Sequence, residues 1–212
     1  MKHPIKTIQI DSETLSKARE LYSEHEKEME AYLDILLEWN EKINLVSRNV
    51  SRETVREHII HSLLPIPLGL IQWHDKWIDS GTGGGLPGIP LAICEKEKRW
   101  ILNDNVRKKM KAVDDIVNKI ELKNADIIAK SISLVELEKG TGLVTKHAFK
   151  IKDLLRLLGK APWQTILMWK GVEDVEKEVR RAHKDIIATI YEFNFGKDEP
   201  FYEGKGIVKI ER

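Results

Sequence analysis

Asp79-Ser80-Gly81-Thr82-Gly83-Gly84-Gly85-Leu86-Pro87-Gly88-Ile89-Pro90 joins a short strand, Lys76-Trp77-Ile78-Asp79, to an apolar helix expected from about Pro87 to Cys94. Glycines let the chain turn sharply there and let a ligand approach the backbone without meeting a Cβ. Pro87 suits the first turn of a helix, because its missing N–H had no intrahelical partner to lose. Free N–H groups at that helix start can face a polar or anionic ligand. Five glycines fall within residues 81–88, and Asp104 follows 23 residues after Gly81 and 21 after Gly83. This combination argues against a mere tight connection. Asp104 ends a second strand, Trp100-Ile101-Leu102, where a carboxylate can accept hydrogen bonds from ribose hydroxyls.

Two cofactor classes remain open on these residues alone. Gly83-Gly84-Gly85-Leu86-Pro87-Gly88 satisfies the G-x-G-x-x-G fingerprint of nicotinamide dinucleotide sites. Asp79 followed by Gly81-Thr82-Gly83-Gly84-Gly85 fits the looser loop of Rossmann-like methyltransferases. Asp79, Gly81, Thr82, Gly83, Gly85, Leu86 and Asp104 are the cofactor-binding candidates under the second reading. An NAD-dependent oxidoreductase is the weaker reading, since no catalytic lysine–tyrosine pair and no substrate domain after the fold can be recognised.

Further along, Ala125 to Ala129, Gly142 to Thr145 and Thr165 to Trp169 read as three more strands, with a helix over Ile151 to Leu158. A charged helix is expected from about Val175 to His183. Ile186 to Phe195 and Gly206 to Ile210 alternate as an antiparallel pair should. Strands alternating with helices imply a mostly parallel sheet covered on both faces. The chain before residue 76 shows no strand pattern. Asp11 or Ser12 can cap a first helix. A second helix carries Met29, Leu33, Leu36, Leu37 and Trp39 on an apolar stripe, and a third runs from about Ser51 to Leu64, ending at Pro65 and Pro67. The expected fold is thus α/β: a Rossmann-like sheet, mostly parallel with an antiparallel C-terminal strand, plus an N-terminal helical extension. Residues 1–70 would form that extension and 71–212 the Rossmann-like domain, as one compact unit.

Composition narrows the class. A chain of 212 residues supports one well-filled core, and 42% hydrophobic with 33% charged residues is too apolar for disorder. Cys94 is the single cysteine, which excludes a disulfide framework; in Leu91-Ala92-Ile93-Cys94 it reads as a small buried hydrophobe. No apolar run approaches the roughly 20 residues needed to cross a bilayer. Met1-Lys2-His3-Pro4 lacks the apolar core of a signal peptide, so a cytoplasmic setting is expected. The net charge of +1 does not exclude nucleic acid, because basic residues can be confined to one face.

Three blocks give the chain a recognisable likeness: Trp39-Asn40-Glu41-Lys42-Ile43-Asn44-Leu45, His58-Ile59-Ile60-His61-Ser62-Leu63, and the loop from Asp79 to Pro90. With them, over about residues 30 to 171, the sequence resembles the small-subunit ribosomal RNA methyltransferase G family, also called glucose-inhibited division protein B. Asp104 with Lys108-Lys109, and Lys170-Gly171, lend weaker support. The resemblance implies a class I methyltransferase sheet with S-adenosylmethionine in the glycine loop, lined by Gly81 and Leu86, with Ile132 and Ser133 beside the adenine and His147 as a further cofactor-binding candidate. It implies methylation of a guanine at N7 in the 530 loop of 16S rRNA, on the small subunit or its precursor. His147 falls where the family pattern Ser-Arg-Ala has arginine, and an imidazole cannot form a guanidinium fork. His61 falls where many members have aspartate.

Guanine N7 carries a lone pair and no proton, so no general base is needed. No catalytic residue and no metal are expected, only positioning. Arg107, Lys108, Lys109 and Lys111 open the helix after the second strand and are the leading phosphate contacts, joined by Lys146 and Lys170 at later strand ends. Asn40 and Asn44, four apart, would share a helix face, and packing is their more natural role. The scattered tryptophans form no base-stacking set. A monomer is expected. The departure at His147 keeps a third reading in view: a non-catalytic RNA-binding or ribosome-assembly factor that retained the fold.

Overall fold

The computed structural model describes residues 4–47, 49–182 and 186–212. Its strands are β1 (Ile5–Ile10), β2 (Lys76–Ser80), β3 (Arg99–Asn103), β4 (Ala125–Ile128), β5 (Thr141–Lys146), β6 (Thr165–Gly171), β7 (Ile187–Phe193) and β8 (Lys205–Glu211). They form one sheet in the order β1-β7-β8-β6-β5-β2-β3-β4. β8 runs antiparallel to both β6 and β7, and every other pairing is parallel. This is the expected α/β architecture with its antiparallel C-terminal strand.

The helices are α1 (Ser12–Glu24), α2 (Glu26–Lys42), α3 (Arg52–Leu63), α4 (Gly88–Cys94), α5 (Arg107–Lys119), α6 (Ile151–Leu158) and α7 (Val175–Arg180). Alternation along the strands divides the core between the two sheet faces. Trp77, Trp100, Leu102, Val144, Leu167 and Trp169 face a cluster that includes residues of α1 to α5. Ile78, Ile101, Leu143, Ile166 and Met168 face the other, with α6 and α7. Trp77, Trp100, Trp163 and Trp169 are core, and Trp73 is exposed. Cys94 is partly buried, and burial pushes its thiol up to about 12, so it behaves as an apolar side chain.

Four expectations need correction here. Residues before 76 are not all helical, because β1 adds to the sheet edge beside β7. Only Ile10 of that strand is fully buried, so Ile5-Lys6-Thr7-Ile8-Gln9-Ile10 lacks a strict inside–outside alternation. The second helix stops at Lys42, which leaves Asn44 off the helix and exposed. Pro87 caps α4 rather than sitting in its first turn. The last charged helix ends at Arg180; His183, which the sequence reading included, lies outside the described residues.

The N-terminal helices reach the glycine segment directly. Tyr32 Oη donates to Gly84 O at 3.0 Å, and Trp39 Nε1 to Asp115 Oδ2 of α5 at 2.7 Å. Among the described residues, no helix is long and apolar enough to cross a membrane.

Candidate functional site

The glycine loop leaves the C-terminal end of β2, which lies between β3 and β5 in the sheet. Gly81 N–H and Thr82 N–H both donate to Asn103 O, at 2.8 and 3.0 Å, fastening the loop to the end of β3. Asn103 Nδ2 continues the chain of bonds to Ile128 O and Lys130 O beyond β4. Gly81 has φ +74°, and a Cβ there would stand 2.5 Å from Ala148 Cβ, so only glycine fits. Gly83 N–H donates to Asp104 Oδ2 at 3.2 Å, while Asp104 Oδ1 accepts from Val106 N–H at 2.9 Å. Asp104 is therefore locked in place by the loop and by the start of α5.

Above these strand ends lies a cleft of about 660 Å³, within the size range of small-molecule sites. It runs from Ser131 and Ile132 after β4, past Asp104, across Gly81 and Thr82, to Lys146 and His147 after β5. Its roof includes Leu45, Val46 and Ser47. Asn40 shapes that roof: its Oδ1 accepts from Leu45 N–H and Val46 N–H, both at 2.9 Å, and its Nδ2 donates to Ser47 O. The sequence reading missed this role, since it depends on contacts beyond the end of α2. Asn103, His58 and Ser131 also line the cleft without having been assigned to the cofactor.

Of the cofactor candidates, Gly81, Thr82, Gly83, Leu86, Asp104, Ile132 and His147 line the cleft. Asp79, Gly85 and Ser133 do not. Asp79 is fully buried; its Oδ2 accepts from Thr82 Oγ1 at 2.6 Å and from Gly88 N–H at 2.8 Å. The α4 start expected to face a ligand is thus satisfied from within. Burial pushes the Asp79 carboxyl up to about 7. Gly85 packs against α4, where a Cβ would stand 2.4 Å from Ile89 Cδ1. Ser133 is exposed and bonds to Ser131, so the cleft takes the serine two residues earlier.

The basic candidates separate likewise. Arg107, Lys108 and Lys111 are exposed on the first turns of α5, and Lys109 lines the cleft. Lys146 and Lys170 are not surface cations. Lys146 is 8% exposed, with Nζ 3.0 Å from His58 Nδ1 and donating to His58 O at 3.1 Å. Lys170 pairs with Glu178 at 3.1 Å and donates to Phe149 O. Both sit at strand ends, but helices α3 and α7 cover them.

The wall beyond Lys146 is rich in histidine. His61 is fully buried among Phe193, Phe201 and Tyr202, with edge-on ring contacts of 5.6 to 5.8 Å between centroids. Neither of its ring nitrogens has a hydrogen-bond partner among the described residues. Burial, followed by the Lys146 charge, holds His61 well below the usual histidine range and lowers His58 to about 3. Both are neutral in the folded chain and take up protons on unfolding below about pH 6.5, so stability falls as pH drops through that value. Asp79 opposes them, because between its unfolded value and about 7 the folded chain holds the extra proton. With His147, which burial also lowers, to about 4, three histidines outweigh one acid near pH 5. Urea unfolding midpoints should fall from pH 7.5 to pH 5, and less steeply for His61→Phe, which keeps the aromatic packing. Equal pH slopes in both proteins would remove His61 from this account.

The model of the family described as rRNA small subunit methyltransferase G matches residues 25–195. The match thus extends beyond the stretch to residue 171 on which the sequence likeness was strongest. The chain is 33% identical to the Ribosomal RNA small subunit methyltransferase G of Chlorobium limicola, over 100% of both chains. It is 31% identical to the protein of that name from Bacteroides thetaiotaomicron, over 89% of this chain and 94% of the other. Among solved structures, it is similar to an O-methyltransferase from Bacillus cereus in complex with SAH. That likeness has a TM-score of 0.58 at 16% identity, covers 85% of this chain and 90% of the other, and concerns the fold alone.

Proposed function

This chain belongs to the rRNA small subunit methyltransferase G family, and on that footing we propose that it is an S-adenosylmethionine-dependent methyltransferase acting on small-subunit ribosomal RNA. The finer reading is methylation of a guanine at N7 in the 530 loop of 16S rRNA, on the subunit or its precursor, by a cytoplasmic monomer. Residues 1–70 and 71–212 act as one unit in this reading. Adenosylmethionine supplies an activated methyl group on a sulfonium. The observation that carries the proposal is the convergence of Gly81, Gly83 and Asp104 on one cleft at the strand ends. A backbone bare of Cβ atoms beside a fixed carboxylate suits an adenosine-bearing ligand. Gly81 and Leu86 give close approach, Asp104 accepts from the ribose, and Ser131 with Ile132 flanks the base.

The chain's part in the reaction is positional. A guanine N7 has its lone pair free, so the cleft need only orient base and methyl donor and exclude water. Leu45, Val46 and the glycine loop close two sides for that purpose. Adenosylhomocysteine should raise the melting temperature, whereas NADH at the same concentration should not; the reverse order would favour the oxidoreductase.

The basic first turns of α5 form the rim that holds RNA. Binding should weaken as salt rises, because each neutralised phosphate releases counterions. Replacing Arg107, Lys108 and Lys111 together by glutamine should make the log–log salt dependence shallower by about 2, at roughly 0.7 per lost contact. Filter binding to a 530-loop fragment at several salt concentrations measures this. An unchanged slope would move the RNA to another face.

A further inference from the structure

We propose that Lys146, steadied by His58, is the cation that receives the carboxylate at the amino-acid end of the cofactor. This assignment rests on the adenosylmethionine reading of the cleft and extends it to a residue that sequence placed on the RNA.

Lys146 ends β5, adjacent to β2 and its glycine loop, and it lines the cleft although it is almost wholly buried. A buried ammonium is costly unless it is paired. Among the described residues, no carboxylate forms an ion pair with it. His58 occupies two of its bonding directions, through Nδ1 at 3.0 Å and the carbonyl oxygen at 3.1 Å. An ammonium has three N–H groups, which leaves one for a ligand in the cleft. The nearest acid in the loop, Asp79, is already engaged by Thr82 and Gly88. Burial, followed by the neighbouring Lys205, lowers Lys146 to about 7, and the carboxyl of Asp79 offsets this only in part.

The layout of the cleft selects which part of the ligand arrives there. Ile132 and Asp104 follow β4 and β3, on one side of the loop; Lys146 ends β5, on the other. A nucleoside whose ribose sits on Asp104 and whose base sits by Ile132 leaves the β5 end for the remainder of the cofactor. That remainder carries a carboxylate, and an ammonium–carboxylate bond is of the strong, charge-assisted kind. Residue 147 does not supply the charge. The His147 ring is held below the usual histidine range by desolvation and by the adjacent Lys146, and is neutral at pH 7. Lys109, the other lysine lining the cleft, stands on α5 at the Asp104 side.

Calorimetric titration with two ligands tests the assignment: adenosylhomocysteine, which bears the carboxylate, and 5′-methylthioadenosine, which lacks the amino-acid end. Lys146→Met should weaken adenosylhomocysteine by about tenfold or more and leave methylthioadenosine within about twofold, with Lys146→Arg recovering most of the loss. Asp104→Ala should weaken both ligands. If Lys146→Met binds adenosylhomocysteine as the unaltered chain does, the assignment is wrong. It is equally wrong if both ligands weaken alike, since the lysine then only maintains the shape of the cleft. If the unaltered chain binds neither ligand, the cofactor reading itself fails and takes this assignment with it.

Discussion

Asp104→Ala should lower the affinity for adenosylhomocysteine by roughly 100-fold, the equivalent of about 3 kcal/mol. The carboxylate is held in the cleft by Gly83 N–H and Val106 N–H, each on a different oxygen. Each oxygen retains a further lone pair, so the pair can accept from vicinal ribose hydroxyls without moving. Hydrogen bonds to a charged group contribute about 1.5–3 kcal/mol each, which sets the scale. Asp104→Asn keeps the shape and loses the charge, and should fall between the two. Titration calorimetry measures the loss, with a melting curve of each variant to separate binding from loop damage. Unchanged affinity in a folded Asp104→Ala protein would remove the residue from the site.

The second large effect concerns stability rather than binding. Asp79→Ala should cost about 3 kcal/mol of folding stability, because it strands two buried donors, Thr82 Oγ1–H and Gly88 N–H. Asp79→Asn retains an acceptor for both and removes a carboxyl whose ionisation is opposed by burial, so it should stay within about 1 kcal/mol of the unaltered chain. Cofactor affinity should be nearly the same in the Asn variant, since Asp79 lies outside the cleft. Urea unfolding and the same titration check both halves. A stable alanine variant with weakened cofactor binding would return Asp79 to the ligand.

These two acids show where sequence suffices and where it stops. Both stand at strand ends beside the glycine loop, and the loop pattern for Asp79 and the spacing for Asp104 point to the same role. Only packing separates them: the α4 start turns back onto Asp79, while the α5 start leaves Asp104 facing the cleft. The core strands were readable because apolar runs such as Thr165 to Trp169 are buried on both faces, and the turns between them are marked by glycine and proline. β1 was not, since an edge strand with one fully buried residue carries little pattern. Lys146 and Lys170 read in sequence as phosphate contacts because a lysine at a strand end is ordinarily solvated; helices distant in sequence cover them. Asn40 illustrates the same limit. Its amide orders a cleft-lining loop through bonds five to seven residues away, which helical spacing does not reveal.

His61 and His147 acquire a shared context from the structure. Their ring centroids lie 6.3 Å apart. Lys146 stands beside both, and of the lysines that line the cleft it is the one at the β5 end.

The most direct test is transfer of radiolabelled methyl from adenosylmethionine to 30S subunits that lack the modification, followed by mapping of the label. The account predicts stable label at one guanine of the 530 loop, as 7-methylguanosine. No label, beside a family enzyme that labels the same subunits, would contradict it.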